Sequence, residues 1–280
     1  MTRTAHRVAP LTIGGTNFGY LNACTLAESL AHLASCGLAV VELGLAAPHF
    51  DLHVATAADV SALRDELARH HLVCSSVNAA ELNLISQNEA VAQLAIEQYT
   101  RLIEVAADLG VPRAVIVPGR QHPLRPTPLD VALDRFERHI TGLVRVAERC
   151  NVEIALETVP FGFLQTGGEL AQWVRAAGHA SLSMVVDCAN VFMLEDPAAA
   201  IVAARAEMSL CHVSDAWKAR WAHTSIGTGE IDFASITRSL DAIGYRGITI
   251  YELMDAYDPV PRLADDLAKL ESFGWQRTRS

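Results

Sequence analysis

The chain has 280 residues and a net charge of −10, and 51% of its residues are hydrophobic while only 19% are charged. This composition excludes a disordered chain and leaves enough apolar residues for a large core. The acidic balance also excludes the basic surface that nucleic-acid binding needs, and it gives no attraction to anionic membranes. We therefore expect neither a nucleic acid nor a membrane as partner.

The sequence shows no pattern typical of a signal peptide, a transmembrane helix or a set of disulfides. The first ten residues contain no apolar run of the signal-peptide type, and no stretch of about 18 apolar residues occurs anywhere. The six cysteines are scattered without a CxxC pair, which is typical of neither a disulfide scaffold nor a zinc knuckle. These features predict a cytoplasmic protein.

Short apolar runs alternate with longer amphipathic segments from one end of the chain to the other. The apolar runs predict strands at residues 8–13, 39–43, 72–77, 114–117, 152–157, 183–187, 210–213 and 248–251. The amphipathic segments predict helices at 25–36, 56–70, 88–109, 128–150, 167–177, 197–206, 233–243 and 260–273. Capping boxes that begin at Thr25 and Thr166 support two of the helix starts.

Eight strand–helix units predict a single (β/α)8 TIM barrel over residues 1–280, because strands separated by helices form parallel sheets. The rival is a doubly wound open sheet, which usually carries a GxGxxG loop after an early strand. The short glycine motif after Ile13 lacks that spacing. The longest connection follows strand seven, at about residues 214–231, and long loops of this kind are often functional.

Four consecutive strands end in a carboxylate or an imidazole: Glu157, Asp187, His212 and Glu252. The active site of a barrel lies at the C-terminal ends of its strands, so we expect these side chains to meet. A lone acid at such a position more often caps the next helix, but three acids together would repel each other. The sequence therefore predicts that the four residues bind one divalent metal ion.

Three oxygen ligands and one nitrogen ligand favour Mn²⁺, with Mg²⁺ or Co²⁺ as close alternatives. Zn²⁺ stays open, because histidine and carboxylates together also bind it. No thiolate joins this ligand set unless Cys188 or Cys211 turns inward.

The same residues resemble the sugar phosphate isomerase/epimerase family, which has the xylose isomerase-like barrel. Glu157 matches the family's acid at the end of strand five, and Glu252 matches its final acid. His212 and Asp215 match the family's His-x-x-Asp motif, and a glycine-rich turn that ends in Ile-Asp follows at residues 227–232. The resemblance covers nearly the whole chain and does not identify the substrate.

The resemblance implies a metal-dependent isomerase or epimerase that acts on a ketose or a related polyhydroxy ketone through a metal-bound enediolate. Glu157 and Glu252 would be the catalytic bases, one removing a proton and the other returning it. Expulsion of a β-hydroxyl from the same intermediate would instead make the protein a dehydratase or lyase of a cyclic keto-polyol. The family resemblance also implies a homo-oligomer, although no interface is visible in the sequence.

Several residues depart from the family pattern and bear on substrate binding. Asn190 stands where many members have a substrate-binding His, and it can bond a hydroxyl but cannot relay a proton. Lys218 stands where epimerases often have Arg. His223 resembles the His before the glycine-rich turn, with a plain loop residue as its alternative. Trp217 is a candidate cover for the substrate, with packing at the barrel rim as its alternative. We predict substrate contacts for all four.

Two other functions are possible for a barrel with this ligand pattern. A non-catalytic barrel that kept its metal for stability, or that serves as a subunit of a larger enzyme, has the same ligand pattern. An apurinic-site endonuclease of the same fold would need further histidines at the ends of early strands and a basic surface. Strands two to four here end without such histidines.

Overall fold

The computed structural model describes residues 11–79, 82–254 and 260–277, and parallel strands within them close into a (β/α)8 barrel. The eight barrel strands are β1 (Leu11–Thr16), β2 (Val40–Gly44), β3 (Val73–Asn78), β4 (Arg113–Ile116), β5 (Glu153–Glu157), β6 (Leu182–Asp187), β7 (Met208–Val213) and β10 (Ile248–Tyr251). Each strand pairs in parallel with its neighbours, and β10 pairs with both β7 and β1, which closes the barrel. The predicted fold class is confirmed.

Helices follow the strands and cover the outside of the barrel. They are α1 (Leu26–Ser35), α2 (Ala57–Arg69), α3 (Glu89–Leu109), α4 (Leu129–Cys150), α5 (Gly167–Ala177), α6 (Cys188–Phe192), α7 (Pro197–Ala203), α8 (Phe233–Ala242) and α9 (Leu263–Phe273). The described part of the chain contains no helix that combines the length and the apolar character needed to cross a bilayer.

Local signals explain where these helices begin. Thr25 accepts the backbone N–H of Glu28 while the Glu28 carboxylate accepts that of Thr25, which completes the predicted capping box of α1. Thr166 and Glu169 form the same box at α5. Each box satisfies backbone donors that the first turn of a helix leaves free, so both starts were readable from the sequence.

The structure differs from the prediction at several places, one of which is the additional short helix α6. The predicted first strand began at residue 8, but residues 8–10 lie outside the described residues, and β1 extends to Thr16. The predicted loop after strand seven contains a hairpin of β8 (Asp215–Trp217) and β9 (Arg220–Thr224). Its strands are too short to give a period-two signal, which is why the sequence pattern indicated a loop. A further short strand, β11 (Trp275–Arg277), pairs in parallel with β1 and is not one of the eight barrel strands.

Period-two alternation divides the strand residues between two cores. The residues that face outward pack under the helices in one large cluster. The residues that face inward form a separate cluster in the middle of the barrel: Val115, Ala155, Val185, Leu210 and Ile250. Two residues further along their strands, the inward positions are taken by Glu157, Asp187, His212 and Glu252. The fold thus delivers these four side chains to the C-terminal end of the barrel interior.

Candidate metal centre

The four predicted ligand residues come together at the mouth of the barrel. Glu157, Asp187, His212 and Glu252 are all buried, and each offers one atom that lies within 4.8 Å of the other three. The His212 Nδ1 atom is 3.5 Å from Glu157 Oε1, 3.7 Å from Asp187 Oδ2 and 3.5 Å from Glu252 Oε2. These separations are at or beyond the limit of a hydrogen bond.

Three of these atoms are buried polar atoms without a hydrogen-bond partner in the described residues: Asp187 Oδ2, His212 Nδ1 and Glu252 Oε2. Buried polar atoms are rarely left unpaired, because each lost hydrogen bond costs free energy. Two ligands that each lie about 2.1 Å from one cation are roughly 3 to 4 Å apart. The unpaired atoms and their spacing therefore fit a divalent cation.

Burial and mutual repulsion set the electrostatics of the cluster. Burial raises the pKa of Glu252 well above its usual value, opposed by His212 and reinforced by the charges of Glu157 and Asp187. Burial by itself lowers the pKa of His212, but the carboxylates of Glu42 and Glu252 outweigh it and raise that pKa well above its usual value. Acids this close to each other are costly to ionise, and a bound cation would relieve that cost.

Asp187 combines a structural role with its place in the cluster. Its Oδ1 atom accepts the backbone N–H of Asn190 at 2.7 Å and caps the short helix α6. Its Oδ2 atom makes no such bond and faces His212. Capping and ligand roles are therefore not alternatives for this carboxylate, because it uses a different oxygen for each.

Asn190 links the cluster to the hairpin. Its Nδ2 atom lies 3.3 Å from Glu157 Oε1, while its Oδ1 atom accepts from Trp221 Nε1 at 2.6 Å and from His223 Nε2 at 3.2 Å. The two donors on Oδ1 orient the amide so that its N–H points at Glu157. The other nitrogen of His223, Nδ1, lies 3.4 Å from Glu252 Oε2. Asn190 and His223 thus lie directly against the four ligands.

Lys218 and Trp217 make their side-chain contacts elsewhere. The Lys218 ammonium lies 3.4 Å from the Glu195 carbonyl oxygen and 5.3 Å from the centre of the Phe192 ring. The Trp217 ring is covered by the Arg220 guanidinium at 4.1 Å. Lys218 is exposed and Trp217 is half-buried at the end of the hairpin. Their predicted substrate roles stay predictions.

The carboxylate of Asp215 holds the glycine-rich turn under the hairpin. It accepts backbone N–H groups from Ala216, Gly227, Gly229 and Ile231 at 2.8 to 3.2 Å. A Cβ atom at Gly229 would lie only 2.3 Å from the Ala216 carbonyl oxygen, so the turn closes this tightly only with glycine. This motif residue therefore builds the loop that carries His223 to the site.

Sequence reasoning missed Glu42, which lies among the apolar residues of β2. Its side chain is fully buried and accepts from Ser76 Oγ at 2.7 Å and from Asn78 Nδ2 at 3.3 Å. Its Oε2 atom also lies 3.2 Å from His212 Nε2. Burial alone would raise the pKa of Glu42, yet His212 and the two donors hold it below its usual value. The available signal was an acid between Val41 and Leu43, at an inward position of a buried strand.

An aromatic wall stands beside the cluster, formed by Trp221 and Phe161. The two rings are 6.0 Å apart and edge-to-face, and the Arg120 guanidinium lies 5.1 Å from the centre of the Trp221 ring. Phe161 is 44% exposed and has a positive φ of 63°, which is uncommon for a bulky residue. Phe161 also lines a cavity of about 340 Å³ between the loops after β4 and β5.

Comparisons with known proteins agree with this architecture. A family model described as xylose isomerase-like TIM barrel matches residues 30–273. An uncharacterized protein from Methanocaldococcus jannaschii is 27% identical over 187 residues, which span 65% of this chain and 64% of that protein's length.

Similar solved structures cover almost the whole chain. A D-tagatose 3-epimerase-like protein superposes with a TM-score of 0.79 at 23% identity, covering 94% of this chain and 99% of that one. An L-ribulose 3-epimerase has a TM-score of 0.79 at 19% identity, covering 94% and 95%. A 3-keto-D-glucoside 4-epimerase from E. coli has a TM-score of 0.78 at 20% identity, covering 94% and 99%. At these identities the similarity shows a shared fold.

Proposed function

The chain belongs to the xylose isomerase-like TIM barrel family, and we propose that it is a divalent-metal-dependent epimerase or isomerase of a ketose or related polyhydroxy ketone. The observation that carries the proposal is the set of unpaired, buried ligand atoms on Asp187, His212 and Glu252. The names of the similar structures, which are sugar 3-epimerases and a keto-glucoside epimerase, support the same class of reaction.

Glu157, Asp187, His212 and Glu252 would hold one ion, with Mn²⁺ preferred for a set of three oxygens and one nitrogen. When bound, the ion would polarise the carbonyl oxygen of a ketone and so acidify the adjacent C–H bond. Cys188 and Cys211 belong to the outer core, so neither thiol joins the set.

Glu157 and Glu252 would be the two groups that move the proton. Glu157 ends β5 and Glu252 follows β10, with β6 and β7 between them, so the two carboxylates approach the site from different sides. One carboxylate removes a proton from the substrate carbon and the other returns one. Return to the opposite face of that carbon gives an epimer, and return to the neighbouring carbon gives the isomeric aldose or ketose.

Asn190, His223 and Trp221 form the polar side of the site. The bonds from Trp221 and His223 fix the Asn190 amide, so its N–H is held against Glu157 without a conformational change. Asn190 and His223 are buried, which keeps bulk water away from the carboxylates. These groups suit a substrate that offers several hydroxyls.

The charge of the site favours a neutral substrate. Glu42, Glu157, Asp187 and Glu252 are four buried acids, and one divalent ion neutralises only half of their charge. Among the described residues, the contacts of these four acids are to amides, hydroxyls and histidines, not to Lys or Arg. A phosphate or carboxylate group on the substrate would be repelled there.

The test is metal-dependent exchange of a carbon-bound proton. The protein is stripped with a chelator, reloaded with Mn²⁺ and incubated in D₂O with ketoses that include D-tagatose and L-ribulose. We expect deuterium at the carbon next to the ketone, together with the epimer, and neither without metal. If the protein binds Mn²⁺ but exchanges no proton in any ketose, the proposed function is wrong and a metal-stabilised, non-catalytic barrel remains.

The aromatic wall favours one second candidate, a keto-glycoside substrate that carries an additional ring. The half-exposed Phe161 lines the 340 Å³ cavity and packs edge-to-face on Trp221, and sugar rings pack well on aromatic faces. The same exchange assay with a 3-keto-glucoside tests this candidate. A Phe161→Ala variant that loses activity toward the glycoside but keeps activity toward the free ketose would support it, and an equal loss toward both would contradict it.

The assay also separates epimerisation from dehydration. Loss of a β-hydroxyl from the same substrates would produce an enone, which has a new ultraviolet absorbance. Its metal-dependent appearance without an epimer would assign the protein to the lyase alternative.

A further inference from the structure

Glu42 is a carboxylate in the middle of an otherwise apolar strand. Its neighbours Val41 and Leu43 face the helices, so the side chain of Glu42 faces the barrel interior, where it is fully buried. An unpaired charge at such a place would be strongly destabilising. The structure supplies partners from β3 and β7 instead of an Arg or Lys.

The hydrogen bonds around Glu42 determine which nitrogen of His212 carries a proton. Ser76 donates to Oε2 at 2.7 Å and Asn78 donates to Oε1 at 3.3 Å. An ionised carboxylate only accepts, so the His212 Nε2 atom at 3.2 Å must be the donor. A histidine that ligates a metal is neutral, and with its proton on Nε2 it offers the lone pair of Nδ1 to the ion.

The Nδ1 atom lies where the other ligands converge. His212 Nδ1 is buried without a hydrogen-bond partner in the described chain, and acid oxygens of Glu157, Asp187 and Glu252 surround it at 3.5 to 3.7 Å. Asn78 contacts both Glu42 and one of the predicted ligands, because its Nδ2 atom lies 3.3 Å from Glu42 Oε1 and 3.5 Å from Glu157 Oε2.

We propose that Glu42 is a positioning residue that holds His212 by its Nε2–H and so presents Nδ1 to the metal ion. The inference rests on the metal site of the proposed function but not on the substrate. Carboxylates that accept from a ligating histidine orient its ring and raise its basicity, and their loss typically weakens metal binding by about 10–100-fold. Strand β2 thus contributes to the centre although it provides no ligand.

The first experiment is calorimetric titration of Mn²⁺ into the metal-free wild type and a Glu42→Gln variant. Glutamine keeps the size of the side chain but cannot accept from all three donors as a carboxylate does. We expect its Kd for Mn²⁺ to rise at least about tenfold. The control is Glu153→Gln, which changes a half-buried acid at an inward position of β5, at the opposite end of the barrel; its Kd should equal that of the wild type. Equal affinity of Glu42→Gln and the wild type would overturn the proposal.

The second experiment needs no variant and reports the ring directly. In the Zn²⁺-loaded wild type, long-range ¹H–¹⁵N correlation should show His212 protonated at Nε2, with that proton shifted downfield by the carboxylate and slow to exchange with water. A proton on Nδ1, with the metal on Nε2, would overturn the proposal even if Glu42→Gln does not fold.

Failure of this inference differs from failure of the proposed function. A wild type that binds Mn²⁺ through His212 Nδ1 but exchanges no substrate proton would contradict the function and leave the role of Glu42 intact. A Glu42→Gln variant with wild-type Mn²⁺ affinity and wild-type exchange would contradict the role of Glu42 and leave the proposed function intact.

Discussion

The two ends of the barrel interior hold their acids in opposite ways. At the N-terminal end, Glu153 accepts from Arg113 Nε at 2.8 Å and from Ser183 Oγ at 2.5 Å, and Ser183 lies 2.7 Å from the Ser209 hydroxyl. At the C-terminal end, Glu157 on the same strand joins a cluster with several unpaired atoms. Both acids occupy inward positions of β5, four residues apart.

The hydrogen-bond partners of an acid thus indicate whether it stabilises the fold or is available to bind a ligand. The Glu153 carboxylate has a guanidinium and a hydroxyl as partners, so its charge is already compensated without a metal ion. We therefore expect Glu153 to contribute to folding alone. The acids at the other end are paired neither with Arg nor with Lys in the described residues, and the unpaired oxygens of Asp187 and Glu252 fit the cation of the proposed function. Substitutions at the two ends should therefore change different measurements.

The largest expected effect is on catalysis. Glu157→Gln and Glu252→Gln should each lower the rate of substrate proton exchange by about 10²–10⁴-fold, because each removes one of the two bases of the proposed mechanism. The measurement is deuterium incorporation at saturating Mn²⁺, and Glu153→Gln serves as the control that keeps its rate. Wild-type exchange in either variant would refute the two-base mechanism.

The next effect is on stability and depends on metal. A free Mn²⁺ concentration 100 times Kd should stabilise the fold by about 2.7 kcal/mol, which raises Tm by about 5 °C. Asp187→Asn should lose this shift, whereas Glu153→Gln should keep it. Thermal melts with Mn²⁺ and with excess chelator provide the check, and a metal shift that survives in Asp187→Asn would place the ion elsewhere.

A smaller effect is expected at the N-terminal end. Glu153→Gln should lower the free energy of unfolding by about 1–3 kcal/mol without changing Mn²⁺ affinity, because Arg113 loses its partner. Although burial alone raises the pKa of Glu153, its bonds to Ser183 and Arg113 keep that pKa below the usual value.

A lowered pKa fixes the sign of the pH dependence. The contribution of Glu153 is complete above the unfolded pKa of about 4.3 and is lost as the pH falls through the folded value. Denaturant titrations at several pH values should therefore show the gap between wild type and Glu153→Gln closing at acidic pH. A gap that is constant with pH would mean that packing rather than charge is responsible.

The smallest effect should come from Lys218→Ala. The ammonium is exposed and lies against Glu195 and Phe192, so we expect kcat/KM to fall by less than about threefold, as for a surface contact. Steady-state kinetics on the best ketose measure this change. A loss above tenfold would mean that Lys218 turns toward the substrate, as the family resemblance suggests.

The sequence by itself determined the barrel and the identity of the four converging residues. Strand and helix alternation, capping boxes and an acid or histidine at four strand ends are local patterns. In a parallel barrel, residues that end neighbouring strands necessarily lie on one face. Glu157, Asp187, His212 and Glu252 could therefore be grouped without coordinates.

Only the tertiary structure decided which side chains meet across the barrel. Glu42 contacts His212 although 170 residues separate them, and Asn190 turns its amide to Glu157 because Trp221 and His223 hold its oxygen. The hairpin and the placement of Lys218 were likewise not readable. Such contacts depend on the stagger of the strands and on the packing of loops, which no local pattern encodes, since spatial neighbours across a closed sheet share no sequence period.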